Sequence, residues 1–289
     1  MNLTKIFRRG LDLLPYGGIS DRIYLFVIFV YAQRRIPRRG SGLFNDYLYY
    51  LKSSPALLDI MRQITSDKIL VKDFIEKNCG AGYTLPTRAV FGAAEQIDLS
   101  KLRKPCVIKP AHGSGSVVFI EDHHEALSGE DMEVIVSALN TSPYITSREA
   151  NYRYLRPRLL CEDTLPEGRK IKDYKVFCYA GEPRIILVES NRFSDHRRNI
   201  YTIDWEPLDI RYNFPFGDWE DPPDCLEKMR DLARKVAGDF DFVRVDFFIS
   251  GGEIYIVELT HCPASAHARF ESRNAEVAFS KILFDSEYF

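Results

Sequence analysis

Four residues in the stretch "FVRVDFFISGGEIYIVELTHCPAS", 242 to 265, have the types and spacing to do chemistry: Arg244, Asp246, Glu258 and Thr260. Side chains alternate faces along a strand. Val243, Val245, Phe247 and Ile249 therefore form one apolar face, and Arg244 and Asp246 point the other way together. If Tyr255, Val257 and Leu259 pair with the apolar face, then Ile254, Ile256, Glu258 and Thr260 turn toward Arg244 and Asp246. For Asp246 to face Glu258 the turn must centre on residue 252 and hold an odd number of residues. A three-residue loop over "GGE" meets that condition. A two-residue Gly251-Gly252 turn would put the acids on opposite faces. Opposed carboxylates repel and are costly to leave unpaired in a partly buried sheet. A hard divalent cation resolves this, because Mg²⁺ takes one or two protein carboxylates and completes its octahedron with water and phosphate oxygens. For a hairpin on its own, the commoner arrangement is a surface ion pair in which Arg244 neutralises one acid.

Two further stretches carry matching residues. In "DYKVFCYAGEPRIILVES", Asp173 and Lys175 share a face with Phe177 and Tyr179, and Gly181-Glu182-Pro183 reads as the turn of a hairpin. In "CVIKPAHGSGSVVFI", Lys109 ends one apolar run and "HGSGS", His112 to Ser116, separates it from the next. That loop reads either as a plain hairpin turn or as a flap that closes over phosphates. A lysine held on a strand is a good point charge for a phosphate, although either lysine taken singly is commonly a solvated surface residue.

The elements that must position these residues alternate helices with antiparallel hairpins, an α+β pattern. "SDKILVKDFIEKNCG" reads as a helix capped by Ser66 and ended at Gly80. A second runs from about Gly129 to Leu139 behind Ser128, and a third begins at Asp224 with Glu227 three residues on. The stretch from Asn191 to Pro223 has no period and reads as a long loop, a feature usually functional or mobile.

Bulk properties exclude little. The 289 residues carry a net charge of −2, which gives no reason to expect nucleic acid. Six scattered cysteines without a Cys-x-x-Cys pair suit reduced core thiols in a cytosolic protein. Residues 1–40 hold eight Lys or Arg against two Asp, a net +6, leaving −8 for the remaining 249. Within them "IYLFVIFVYA", 23 to 32, is too short to span a bilayer, which takes about 20 apolar residues. Length favours a buried helix. The alternative rests Arg34, Arg35, Arg38 and Arg39 on anionic headgroups beside a shallowly inserted apolar face.

Taken in order, "CVIKPAHGSGSVVFI", "LLCED", "DYKVF" and "FVRVDFF" with "IYIVELTHCPAS" resemble the ATP-grasp ligases. "SDKILVKDFI", "FNDYLYYLK" and "NRFSDHRRNIYTIDWEPL" extend the likeness to the TupA-like branch, named for teichuronopeptide biosynthesis, from about Phe44 to about Arg269. The resemblance implies two α+β lobes clasping a nucleotide behind an N-terminal helical segment. The divisions expected are 1–42 for the basic helical segment, 43–105 for an N-terminal α/β region, 106–160 for a small lobe with the glycine flap, and 161–289 for a large lobe with the metal-binding hairpin.

The resemblance also implies ATP and Mg²⁺ and roles for named residues. Lys109 and Lys175 would sit on phosphates under the flap of His112, Gly113, Ser114, Gly115 and Ser116. Glu162 with the backbone of Asp163 to Leu165 would hold adenine, and Asp173 the ribose. Asp246 and Glu258 would bind Mg²⁺, and Arg244 would steady the transferred phosphoryl. Many relatives carry Asn two residues after that Glu; here it is Thr260, a poorer metal ligand. The basic run Arg192, His196, Arg197 and Arg198 is the candidate for an acceptor carboxylate, as Arg forks match that group.

The chemistry implied is ATP-dependent amide formation through an acyl phosphate. The branch points to an amino acid or other amine joined to a carboxylated sugar, such as a uronic acid, in cell-surface polysaccharide assembly. It implies a cytoplasmic protein, peripheral at the inner face of the membrane. The alternatives are an ATP-dependent sugar kinase, a glycosyltransferase of the same pathway, and a nucleotide-binding scaffold without turnover.

Overall fold

The computed structural model describes residues 10, 11 and 13–285, so the first nine residues of the basic segment and residue 12 lie outside the described residues. Two antiparallel sheets organise the chain. The smaller has the order β1-β4-β2-β3, built from Thr87–Phe91 (β1), Cys106–Pro110 (β2), Val118–Ile120 (β3) and Leu159–Asp163 (β4). The larger comprises Asp173–Tyr179 (β5), Glu182–Ser190 (β6), Arg197–Thr202 (β7), Pro207–Leu208 (β8), Phe242–Ser250 (β9) and Glu253–Thr260 (β10), in the order β10-β9-β5-β6-β7-β8. The architecture is α+β. The smaller sheet takes strands from residue 87 to 163, across the divisions expected at 105/106 and 160/161.

Alternation along each strand gives the larger sheet two unlike faces. Val176, Ile186, Val243, Val245 and Phe247 pack beneath Leu70–Cys79 (α4) and Leu226–Ala237 (α7), against Phe74, Ile75, Met229 and Leu232. The opposite face is apolar only at one end, where Phe177, Ile185, Ile200 and Phe242 meet Phe44 and Leu48 of Phe44–Lys52 (α2) and Phe279 of Arg273–Leu283 (α8). Its other end carries Asp173, Lys175, Glu189, Arg198, Arg244 and Asp246. The smaller sheet buries Cys106, Ile108, Val118, Ile120, Leu159 and Cys161 under Gly129–Asn140 (α5) and turns Val107, Lys109 and Glu162 the other way.

Several expectations need correction. Ser66 ends Ile60–Ser66 (α3) rather than capping the next helix; the Asp67 carboxylate accepts from the N–H groups of Ile69 and Leu70 and starts α4. The α7 helix begins at Leu226 without a side-chain cap, so no Asp224 capping box forms. The β5–β6 turn is Ala180-Gly181, both at positive φ, because Glu182 and Pro183 already pair with Tyr179 and Cys178. Asn191 to Pro223 is not one loop. It contains β7 and β8, and β7 is covered on both faces, with Tyr201 in one core and Ile200 in the other, so no apolar–polar alternation marks it. The connector 34–42 is pinned, since Arg35 ion-pairs with Asp46 and Glu276. The six cysteines are free thiols, Cys106, Cys161, Cys178 and Cys262 being buried.

The N-terminal apolar run lies in helix Gly18–Gln33 (α1), which buries Tyr24, Leu25, Ile28, Phe29 and Ala32 and leaves Ile19, Ile23 and Phe26 exposed. It is thus half buried. Among the described residues no helix is long and apolar enough to cross a membrane.

Candidate functional site

The β9–β10 hairpin turns on two residues, Gly251 and Gly252, with φ of 58° and 83°. Two successive positive φ values are what a tight hairpin turn needs and what glycine supplies without strain. The expected three-residue loop is therefore overturned. Near the turn, Phe247 pairs with Ile256, and Ile254 and Ile256 enter the core instead of facing Arg244. A bulge at Val257 then adds one residue to β10, so that Glu258 pairs with Asp246 and Thr260 with Arg244. The two acids face each other after all.

Ion pairing around them is dense. Arg244 donates to both oxygens of Asp246, at 2.6 and 2.5 Å, and to Thr260 Oγ1 at 3.0 Å. Lys175, opposite Asp246 on the neighbouring strand, puts Nζ 3.1 Å from Asp173, 3.0 Å from Glu189 and 3.7 Å from Asp246. Arg198 pairs with Glu189, and Arg192 reaches Asp173 at 3.4 Å. Lys68, in the turn between α3 and α4, lies 3.4 Å from Glu258.

These neighbours set the protonation states. Burial opposes the charge of Lys175, but Asp173, Asp246 and Glu189 together raise its pKa. Burial raises Asp246 more than Arg244 and Lys175 lower it, with Glu258 adding to the rise. Glu258 goes the other way, because Lys68, Arg244 and Lys175 outweigh its burial. The pair is thus poised for a cation that would relieve Asp246. Asp246 and Glu258 offer two hard oxygen donors, which fits Mg²⁺ with its remaining positions on water and phosphate. Among the described residues no group of three or more His, Cys, Asp or Glu forms a metal cage.

Across the cleft stands the smaller sheet. Lys109 and Lys72 both pair with the buried Glu162, and together they hold its pKa below the usual range against the effect of burial. Asp163 pairs with Arg88 instead. The loop from Ala111 to Val117 hangs between the sheets, and Lys68 donates to the Gly113 carbonyl oxygen at 2.6 Å. A cavity of about 700 Å³ lies between these walls.

Of the residues given a binding or catalytic role in the sequence reading, all line this cavity except His112 and Arg197. His112 is fully buried, with its ring nitrogens 3.3 Å from the Arg158 carbonyl oxygen and 3.2 Å from that of Thr141. It anchors the root of the loop and is not part of its tip. Arg197 alternates to the far face of β7 from Arg198 and pairs with Asp195. His261, next to Thr260, is buried between Arg62 and Thr65, and burial with the nearby Arg62 keeps it neutral.

Lys68, Lys72 and Glu189 escaped the sequence reading. Lys68 just precedes and Lys72 lies in the first turn of an amphipathic helix, where lysines read as a solvated face. Glu189 was recoverable, since it pairs with Asp173 across the β5–β6 ladder. A further cavity wall was also missed. Ala264, Ser265 and Ala266 take successive left-handed conformations, φ 47°, 56° and 61°, and the buried Lys52 donates to the Ser265 carbonyl oxygen at 3.2 Å. Strain of this kind collects at ligand sites.

A family model described as TupA-like ATPgrasp matches residues 51–282. No curated protein matches the chain. Among solved structures, the D-alanine–D-alanine ligase of Helicobacter pylori is similar at 18% identity, covering 70% of this chain and 56% of that one, with a TM-score of 0.39. The Bacillus anthracis enzyme complexed with ATP is similar at 17%, covering 77% and 63%, with a TM-score of 0.43. The ATP-grasp ligase PsnB complexed with a minimal precursor is similar at 14%, covering 81% and 63%, with a TM-score of 0.42. The chain spans less than two-thirds of each of these three proteins. The family match covers most of the sequence, including both sheets and the loop between them, and the chain belongs to the TupA-like ATP-grasp family.

Proposed function

We propose that this protein is an ATP-dependent carboxylate–amine ligase. One observation carries the reading: the facing pair Asp246 and Glu258 shares a single cavity with Lys109, Lys175, Arg244 and the Gly113–Ser116 loop. Around the larger sheet's polar face, five cations (Lys68, Lys175, Arg192, Arg198, Arg244) stand among four carboxylates (Asp173, Glu189, Asp246, Glu258). That excess suits a polyphosphate.

In the reaction a carboxylate oxygen of one substrate attacks the γ-phosphorus of ATP, and the bond to the β,γ-bridging oxygen breaks. ADP leaves and an acyl phosphate remains. An amine then attacks the acyl carbon, loses a proton, and displaces inorganic phosphate. Phosphoryl transfer spreads negative charge over equatorial oxygens, so the protein's part is positioning and neutralisation. Lys109, oriented by Glu162, and Lys175 would hold phosphates, while N–H groups of the glycine loop close over them. Asp163 to Leu165 would border adenine, and Asp173 the ribose. Arg244 would steady the transferred group. A Mg²⁺ held by Asp246 and Glu258 would supply further charge neutralisation at the phosphates. Thr260, engaged by Arg244, would keep that guanidinium in place.

The acceptor would be a carboxylated sugar such as a uronic acid, its carboxylate met by Arg192 at the cavity edge, and the amine an amino acid. An ADP-release screen of amino acids against uronic-acid acceptors tests this. The expected result is ADP and phosphate release that requires both partners. ADP release without an amine and without free phosphate would make the protein a kinase. Turnover of a nucleotide sugar with ATP untouched would make it a glycosyltransferase.

A further inference from the structure

We propose that the outward stripe of α1 docks on the surface of an anionic lipid bilayer. Ile19, Ile23, Phe26 and Val30 recur at spacings of four, three and four residues, which puts them on one side of the helix. The first three are 75%, 47% and 41% exposed, and Leu13 and Tyr16 continue the apolar surface before the helix. Arg22 on the helix, and Arg34, Arg38 and Arg39 in the segment that follows its end, are exposed. Two of them lie over tyrosine rings, Arg34 on Tyr31 at 5.0 Å and Arg39 on Tyr50 at 5.1 Å.

Apolar side chains flanked by arginine and tyrosine match the interfacial layer of a membrane, where the rings sit at headgroup depth and the guanidiniums meet lipid phosphates. Charge favours lipid over protein as the occupant. The segment carries +6 on a chain that is otherwise −8. A second copy would have to seat these arginines against their like. The helix is also too small for stable pairing. Its 16 residues give a strip about 24 Å long and one side chain wide, against roughly 800 Å² per partner in a stable interface.

The inner side of α1 is tied to the active-site cavity. Tyr24 donates to the Thr146 carbonyl oxygen at 3.0 Å, and Gln33 to those of Ala266 and Ala268 at 3.0 Å each. Arg148 binds Asp21 at 2.8 Å. Thr146 and Ser147, in helix Pro143–Ser147 (α6), line the cavity with Ala264 and Ser265. A docked α1 therefore holds that end of the cavity beside the lipid surface.

The full chain is mixed with phosphatidylcholine vesicles with and without phosphatidylglycerol, and binding is read by sedimentation, without nucleotide. Binding is expected only with phosphatidylglycerol and should weaken as salt is raised. The double variant Ile23→Asp/Phe26→Asp should bind at least about tenfold more weakly, since both apolar side chains would no longer insert. Arg38→Glu/Arg39→Glu should remove the phosphatidylglycerol dependence. These side chains are exposed, and unchanged thermal unfolding verifies the folds. Failure to bind the anionic vesicles, or equal binding by the aspartate variant, overturns the proposal. So does a concentration-dependent dimer that the same variant abolishes, which would assign the stripe to a second copy. None of these results bears on the ligase reading, because no turnover is measured.

Discussion

Lys68 reaches Glu258 from outside the sheet that carries it, its Nζ 3.4 Å from the carboxylate and 2.6 Å from the Gly113 carbonyl oxygen of the phosphate-loop candidate. One ammonium therefore links the candidate metal acid to the loop opposite. Lys68→Met should weaken ATP·Mg²⁺ binding by about tenfold, equivalent to about 1.4 kcal/mol, because both the loop and Glu258 lose their tether. Calorimetric titration with a non-hydrolysable ATP analogue checks this. Unchanged affinity would reduce Lys68 to a structural contact.

The acid pair makes a prediction that separates metal from nucleotide. Asp246→Asn and Glu258→Gln should each abolish the dependence of ATP affinity on Mg²⁺. Binding of metal-free ATP should hold or tighten, since a negative charge leaves a site that receives phosphates. Titrations with Mg²⁺ and with EDTA read the two effects separately. Weaker binding in both would contradict the assignment.

Lys175 is the buried cation that three carboxylates share, so removing it takes one ion-pair partner from each of them. Lys175→Met should cost about 3–5 kcal/mol in stability as well as activity. Without the ammonium the carboxylates take up protons more readily, so the deficit relative to wild type should shrink as pH falls from 7 toward 5. Urea midpoints across that range test it.

Glu189 gives the acid limb of the stability profile. Burial alone would raise its pKa, but Lys175 and Arg198 bring it far below the ordinary 4.5. A carboxyl lowered by folding adds stability that is present above its unfolded pKa and lost as pH falls through the folded one. Wild-type stability should thus decline below about pH 4.5, and Glu189→Gln should flatten that decline while lowering stability at pH 7. An identical slope in the variant would rule Glu189 out as the source.

How much of this was legible in the sequence varied with how local the cause was. Ser128 caps α5 as expected, because capping involves residues three apart in the chain. The parity of Arg244 and Asp246 on β9, and of Asp173 and Lys175 on β5, followed from alternation alone. Which strands lie side by side did not, and Lys175 opposite Asp246 is a product of β5–β9 pairing between segments about 70 residues apart. Residues whose partners lie across the cleft were lost for the same reason. Nothing in "SDKILVKDFI" tells Lys68 from the solvated Asp73 of α4 without the loop and Glu258 beside it. His112 shows the reverse error. It was grouped with the glycines that follow it, yet an imidazole between two carbonyls belongs to the frame.

Val257 decided the case that parity alone would have lost. By adding one residue to β10, it makes the tip of the hairpin and its acid end keep separate counts. Ile254 and Ile256 can answer to the core while Glu258 answers to Asp246. In related sequences, a tip one residue longer should be accompanied by loss of the bulge, which leaves the count of residues between the acids unchanged. What such chains must hold constant is the opposition itself, and the spacing between the two acids does not tell which of the two arrangements supplies it.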